Sequence, residues 1–209
     1  MNLHKSRPPR PASWTVDVKI PPTALWLPLR SDLPPKEVGR RAAIKVLGEG
    51  KPKEDLEKFA HVISDHTEDC QRRHVRKGGI VFFPDFNRLP PIATIDVLAE
   101  YSQTPPSTLD HYRELYGTPG KNALSPVEMT DVDLPAGPAV RFHSGYWHKS
   151  QLPVVIDRPH LHVTYAVRPP VIEDAVLLTV AWTEFKFSEA LVTMADAMAQ
   201  TMEIKLRDA

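Results

Sequence analysis

The sequence predicts an α+β protein in which helices pack against a mainly antiparallel β-sheet. Strand-like segments come in runs joined by short turns, which is typical of antiparallel pairing. The helical segments are grouped and do not follow each strand in turn, so a parallel sheet with crossover helices is not indicated. The most regular stretch of the chain, residues 159–202, is expected to form two strands and a closing helix.

In the first of these strands, apolar and polar or small residues alternate with a period of two, as in a half-buried strand. Its apolar positions are Leu161, Val163, Tyr165 and Val167. Residues 168–174 contain two adjacent prolines and are predicted to be a turn. Residues 175–183 are apolar almost throughout, as in a strand covered on both faces. We expect this pair to form a sheet edge that the following helix covers.

The closing helix is predicted to begin at Ser188, whose hydroxyl can accept a hydrogen bond from a free backbone N–H group. Apolar residues then recur at helical spacing on one face. They are Leu191, Met194, Ala195, Met198 and Met202. The three methionines could form an adaptable binding surface, but helical spacing favours a place in the core.

Earlier in the chain, residues 1–12 are polar and proline-rich and are predicted to be a flexible arm before a single domain at 13–209. Residues 14–20 alternate like a strand. Residues 24–29 form a second short strand, and Pro28 favours an edge position because proline lacks the N–H donor.

Two long helices are predicted at residues 34–47 and 53–74, ended by Gly48 and by the Gly78-Gly79 pair. Between them and the closing stretch, the pattern predicts four strands and one short helix. The strands lie at residues 80–83, 92–101, 127–132 and 139–148, and the helix runs from Ser107 to about Tyr116.

Composition excludes several classes of function. The 209 residues contain 26 Lys plus Arg and 26 Asp plus Glu, so the basic excess of a nucleic-acid-binding protein is missing. No stretch reaches the roughly 20 apolar residues needed to span a bilayer. Cys70 is the only cysteine, and the first residues lack the apolar core of a signal peptide. We therefore expect a cytoplasmic protein without a nucleic-acid partner or a membrane span.

Four histidines in the predicted strands form the first candidate polar cluster: His143, His148, His160 and His162. If residues 139–148 and 159–168 pair antiparallel, His160 and His162 share one face, with His148 nearby. Imidazoles in such a cluster could bind a metal or respond to pH near neutrality. The alternative is an ordinary polar face of an exposed sheet.

A second candidate lies on the second predicted helix, where His66, Cys70 and His74 are spaced by four residues, with Asp69 nearby. Cysteine and histidine are common ligands of transition metals. The outer two positions are about 12 Å apart along the helix axis, which is too far for one ion. An adjacent pair could share an ion only with ligands from another element. Packing is the favoured interpretation, and no metal or cofactor is predicted.

No catalytic residue is predicted. Cys70 lies inside a helix and not at a helix N-terminus, which would activate a thiol. Ser144-Gly145 lacks the flanking glycines of a nucleophile elbow, and no phosphate-binding loop is present. Large aromatic residues near predicted strand ends are instead candidates for a protein interface. These residues are Trp26, Tyr146, Trp147 and Trp182.

The sequence resembles uncharacterised proteins of Actinobacteria in several segments. They are Trp14 with residues 21–29, and residues 35–43, 133–141 and 177–202. The order of elements is similar to the Mog1/PsbP-like α+β sandwich, including relatives of the LpqN lipoprotein type. This resemblance implies a fold that carries binding and chaperone-like proteins more often than enzymes. Unlike those lipoproteins, this sequence is expected to have no signal peptide and no lipobox cysteine.

Together, these observations predict a non-enzymatic binding or adaptor protein that acts on a protein partner. A chaperone, an immunity protein and an accessory component of a larger bacterial assembly all fit this description. One alternative is a metal-dependent or small-molecule enzyme that uses the strand histidines. Another is a structural subunit that assembles with copies of itself through an exposed strand edge.

Overall fold

A seven-stranded antiparallel sheet forms the centre of the computed structural model, which describes residues 14–29, 33–83, 93–100, 108–148 and 158–206. The strands lie in the order β2-β3-β4-β8-β7-β6-β5, and β1 pairs with β9 in a separate two-stranded sheet. The strands are β1 Trp14–Asp17, β2 Ala24–Leu27, β3 Lys77–Val81, β4 Ala93–Glu100, β5 Glu128–Leu134, β6 Gly137–His148, β7 Arg158–Val167, β8 Ala175–Trp182 and β9 Glu203–Leu206. The helices are α1 Pro35–Leu47, α2 Lys53–Arg72, α3 Leu109–Gly117 and α4 Ser188–Ala199.

The predicted α+β class and the mainly antiparallel sheet are confirmed. The β7–β8 hairpin also forms as expected, with Val167 opposite Val176. Its predicted place at a sheet edge is wrong. β8 also pairs with β4 and β7 with β6, so the hairpin occupies the middle of the sheet. The long apolar run of β8 reflects this central position, since all but one of its residues are buried.

α4 covers one face of the sheet, against β7 and β8. Four residues of its predicted apolar face are fully or almost fully buried there: Leu191, Ala195, Met198 and Met202. The predicted cap at Ser188 does not form, because its hydroxyl oxygen instead accepts a hydrogen bond of 2.9 Å from Trp182 Nε1. Asp196 adds a polar anchor by accepting hydrogen bonds from Arg141 Nε and from the Tyr165 hydroxyl.

The other three helices lie on the opposite face. α1 and α2 pack on each other and over β2 and β3, where Phe59, Ile63 and Ile80 are buried together. α3 covers β6 through Tyr112, which packs with Phe142 in a separate cluster. The middle of this face lies between the two groups of helices.

The sequence predicted that the Gly78-Gly79 pair ends α2, and this prediction is wrong. The helix ends at Arg72, and both glycines belong to β3. A Cβ atom at Gly78 would lie 2.9 Å from Cys70 Sγ, and one at Gly79 would lie 2.9 Å from the Trp26 ring. These glycines therefore let neighbouring side chains approach the backbone of β3 closely.

Three smaller features differ from expectation. β1 ends at Asp17 and pairs with β9, a strand that the sequence pattern did not reveal. α3 begins after Thr108, whose Oγ1 accepts from the backbone N–H of His111, while Ser107 lies outside the described residues. The predicted arm at residues 1–12 also lies outside them. Among the described residues, no helix is long and apolar enough to cross a lipid bilayer.

Candidate functional site

Polar side chains cross the middle of the sheet on the face that carries α1, α2 and α3. We call this set the polar strip: Asp96 on β4, Thr179 on β8, Thr164 and His162 on β7, and Ser144 on β6. The register places Asp96 opposite Thr179, Thr179 opposite Thr164, and His162 opposite Ser144. Four adjacent strands at about 4.8 Å spacing make the strip about 14 Å wide. A polar row of this extent is unusual at the centre of a sheet.

Some of these polar side chains form hydrogen bonds with each other within the strip. The hydroxyls of Thr164 and Thr179 lie 3.0 Å apart, and Ser144 Oγ lies 2.9 Å from His162 Nε2. His162 Nδ1 is buried and has no hydrogen-bond partner among the described residues. Burial, followed by the nearby charges of His160 and His143, lowers the pKa of His162 to about 4. The imidazole is therefore neutral at physiological pH.

Beyond one end of the strip, β6 and β7 present three partly exposed rings, two on the strip's face (Tyr146 and His160) and one on the other face (Trp147). We call Tyr146, Trp147 and His160 the aromatic end. Tyr146 packs on His160 with 4.9 Å between ring centroids, and Tyr146 and Trp147 are 39% and 40% exposed. The β6 backbone is fixed here, because Trp147 N donates to Asn122 O at 2.8 Å and Leu124 N donates to Gly145 O at 2.9 Å. The two exposed rings therefore stand on an ordered strand.

The structure divides the predicted histidine cluster. His160 and His162 share a face, as the antiparallel pairing of β6 and β7 implies. His143 pairs with Val163 and points to the α4 face, where it packs on Trp182 and lies 3.2 Å from Glu128 Oε2. Strand alternation separates it from the other two, so its predicted place in the cluster is wrong. The side chain of His148 lies outside the described part of the structure.

The predicted interface aromatics also fall into different environments. Tyr146 and Trp147 are exposed, as an interface role requires. Trp26 is half-buried against Gly79, with Lys77 Nζ 5.7 Å from its ring centroid. Trp182 is only 2% exposed and is part of the core under α4, so its predicted interface role is wrong. Its position on the central strand β8 explains the burial.

At the other end of the strip, α2 brings two side chains against Asp96. His66 Nε2 lies 3.5 Å from Asp96 Oδ1, Cys70 Sγ lies 3.4 Å from the same oxygen, and Sγ and Nε2 are 3.6 Å apart. The second carboxylate oxygen of Asp96 accepts a hydrogen bond of 2.5 Å from Arg73. We call His66, Cys70 and Asp96 the α2–β4 triangle.

Burial dominates the electrostatics of the triangle. It raises the pKa of the Cys70 thiol, and the neighbouring Asp96 charge and its hydrogen bond add to this effect. It lowers the pKa of His66, which Asp96 opposes in part. The Cys70 thiol is therefore protonated at neutral pH.

Sequence spacing identified the adjacent pair His66 and Cys70 and indicated that a further ligand would have to come from another element, but it did not identify that residue. His74 lies beyond the end of α2, with a φ of 56°, and is not part of the triangle. Asp96 takes that place from a strand 26 residues after Cys70. Its alternation with buried Ile95 and Val97 marks it as facing away from the α4 core, but only the packing of α2 shows what it meets.

The fold is thus a helix-covered antiparallel sheet with a polar strip between an aromatic end and a buried His–Cys–Asp triangle. No protein-family model matches this chain, and no curated protein matches it. A solved structure of LpqN, "involved in cell envelope biogenesis of Mycobacterium tuberculosis", is similar at 14% identity and a TM-score of 0.48. The match covers 94% of this chain and 87% of that chain. These values describe a distant structural relationship only.

Proposed function

We propose that this protein is a non-enzymatic binding protein, of the adaptor or chaperone type, that uses its aromatic end to contact a segment of another protein. The observation that carries the proposal is the exposure of Tyr146 and Trp147, two adjacent large aromatic side chains, at the end of an ordered strand. Tyrosine and tryptophan are among the residues enriched at the energetic centre of protein interfaces.

Two further features support this surface. The backbone hydrogen bonds on both sides of Tyr146 and Trp147 restrict the strand before binding, which lowers the entropy lost when a partner docks. Successive residues of a strand point to opposite faces, so the two rings bracket the strand end and can hold a partner segment from both sides. The rings and the neighbouring imidazole offer apolar surface together with hydrogen-bonding groups. A mixed surface of this kind suits a polypeptide partner.

Site-specific photo-crosslinking in the native cell tests the proposal. A benzophenone amino acid replaces Trp147, and the same amino acid at Phe185, which is 56% exposed on the turn before α4, is the matched control. We expect one protein to be crosslinked from position 147 and not from position 185.

Binding of that protein in purified form then provides the quantitative test. We expect the double variant Tyr146→Ser/Trp147→Ser to weaken binding by about 30-fold or more, because interface hot spots typically contribute at least about 2 kcal/mol. Phe185→Ser is expected to leave the affinity within about twofold. Equal losses for both variants would contradict the proposal, as would crosslinks formed only between copies of this chain. The latter result would favour the self-assembling subunit. The cytoplasmic location stays a prediction.

A further inference from the structure

The α2–β4 triangle combines three different ligand types from two elements of the fold. His66 and Cys70 lie one turn apart on α2 and therefore point in the same direction. Asp96 comes from the neighbouring strand β4. Of the described residues, these are the ones whose His, Cys and carboxylate atoms come close enough together to hold a metal ion.

The three facing atoms form a nearly equilateral triangle, with edges of 3.6, 3.4 and 3.5 Å. A tetrahedral zinc ion has bonds of about 2.3 Å to sulfur and about 2.0–2.2 Å to nitrogen and oxygen. Tetrahedral angles then place its ligand atoms about 3.3–3.6 Å from each other. The triangle therefore already has the dimensions of one face of a zinc coordination tetrahedron.

We propose that His66 Nε2, Cys70 Sγ and Asp96 Oδ1 bind a divalent transition-metal ion of the zinc class. The thiolate and imidazole select such an ion over Mg²⁺ or Ca²⁺, which prefer a shell of oxygen ligands. The fourth position is taken by water. On binding, the Cys70 thiol gives its proton to solvent, because the thiolate is the metal ligand.

The surroundings support coordination at this place. Arg73 binds Oδ2 of Asp96 and so leaves Oδ1 directed at the triangle, as outer hydrogen bonds commonly orient carboxylate ligands. The guanidinium charge of Arg73 is shared with a second carboxylate, because its Nε donates to Asp69 Oδ2 at 2.7 Å.

Access and packing also fit a site that links α2 to the sheet. The side chains of His66 and Asp96 are 11% and 14% exposed, and Cys70 is buried. The site is therefore almost closed but not sealed from solvent. Glycine at position 78 allows the sulfur to approach β3, since a Cβ atom there would lie 2.9 Å from Sγ. A bound ion would add a direct tie between α2 and β4.

Cobalt titration of the full chain, after treatment with a chelator and its removal, tests the proposal. Co²⁺ takes the place of Zn²⁺ and reports its ligands through absorption. We expect one equivalent to produce a thiolate-to-cobalt charge-transfer band and the intense visible bands of tetrahedral cobalt. One equivalent of Zn²⁺ should then abolish both signals by displacement and raise the melting temperature.

Variants identify the ligands. Cys70→Ser should remove the charge-transfer band, and His66→Gln and Asp96→Asn should each weaken binding by at least the 10- to 100-fold that loss of an outer-shell partner typically costs. His61→Gln is the matched control, since His61 is an exposed histidine of the same helix that faces Asp65. His74→Asn removes the ligand that helical spacing alone would add. Both control variants should bind cobalt like the original chain.

Circular dichroism checks that each variant is folded. If Cys70→Ser does not fold, the weaker cobalt binding expected of His66→Gln and Asp96→Asn, which keep the thiol and the band, tests the ligand set instead. The absence of a charge-transfer band in the original chain would overturn the proposal and leave a hydrogen-bonded cluster only. An unchanged band in Cys70→Ser, or loss of binding in His61→Gln, would also overturn it. This site is independent of the aromatic end, so neither result bears on the proposed protein partner.

Discussion

The two faces of the central sheet are built on different principles, and β8 shows both in adjacent residues. Leu178 is fully buried on the α4 face, between Tyr165 and Val97 of the neighbouring strands. Thr179 points to the opposite face, between Thr164 and Asp96. The first face is filled mainly by apolar packing under one helix. The second keeps hydroxyl, imidazole, thiol and carboxylate groups between two groups of helices.

This difference separates stability from recognition. Burial of apolar area is the main favourable term in folding, and the α4 face supplies most of it. Polar groups at the centre of a sheet contribute little net stability and are costly when they lack a partner. The α2–β4 triangle and two rings of the aromatic end, Tyr146 and His160, lie on the face of the polar strip, whereas Trp147 points to the other face at the strand end. We infer that the α4 face supplies most of the stability and that most of the candidate site residues lie on the opposite face.

Truncating a core residue of the α4 face should give the largest effect. We expect Leu178→Ala to lower the free energy of unfolding by about 4 kcal/mol, because a fully buried leucine leaves a cavity between two strands. Urea denaturation followed by circular dichroism measures this change. The exposed Leu115→Ala on α3 is the control and should change stability by less than about 1 kcal/mol. A loss below about 1 kcal/mol for Leu178→Ala would contradict the assignment of the main core to this face.

Protonation of His162, a residue of the polar strip, should give the next largest decrease in the free energy of unfolding. Its folded-state pKa of about 4 is below the ordinary 6.5, so the unfolded chain takes up this proton at a higher pH than the folded chain. The stability contributed by neutral His162 is therefore complete above about pH 6.5. It is lost as the pH falls towards 4, by up to about 3 kcal/mol.

The measurement compares the free energy of unfolding at pH 7.5 and pH 4.5 in the original chain and in His162→Phe. We expect the variant to lose less stability on acidification. His66, whose pKa is also lowered, contributes to both chains, so the difference between them isolates His162. Equal slopes for His162→Phe and the original chain would show that His162 is not held neutral by its surroundings.

The sequence predicted the α4 face better than the polar strip, for a physical reason. Helical spacing placed Leu191, Ala195 and Met198 in the core, and the structure confirms their burial. Binary patterning reports which residues avoid water, and one strand or helix is enough to read it. It does not report which strands become neighbours, and so it placed β7 and β8 at an edge.

The positions of the polar strip and of the triangle depend on which strands and helices become neighbours, which the sequence pattern does not report. His66 and Cys70 are paired by helical spacing, but Asp96 joins them only because α2 lies beside β4. The sequence pattern did not distinguish His143 from His160 and His162, but the strand register places it on the other face of the sheet. β9 was not predicted because its four residues, Glu203–Leu206, are too few for a strand to be identified from alternation alone. Long-range pairing, rather than local pattern, determines each of these positions.

The smallest expected effect lies in the hydrogen bond between Thr164 and Thr179, and it tests whether the polar strip acts as a connected row. Each single replacement by valine keeps the shape but leaves the other hydroxyl without this partner, so we expect each to cost about 1–2 kcal/mol. The double variant should cost about 1 kcal/mol less than the sum, because the second change removes the hydroxyl that the first left unpaired. Thr164→Val combined with Thr193→Val, on the exposed face of α4, is the matched pair and should be additive.

Additive losses for the Thr164 and Thr179 pair as well would mean that the two hydroxyls are satisfied separately. The polar strip would then be a set of independent groups, and the contrast between the two faces would rest on the aromatic end and the triangle alone.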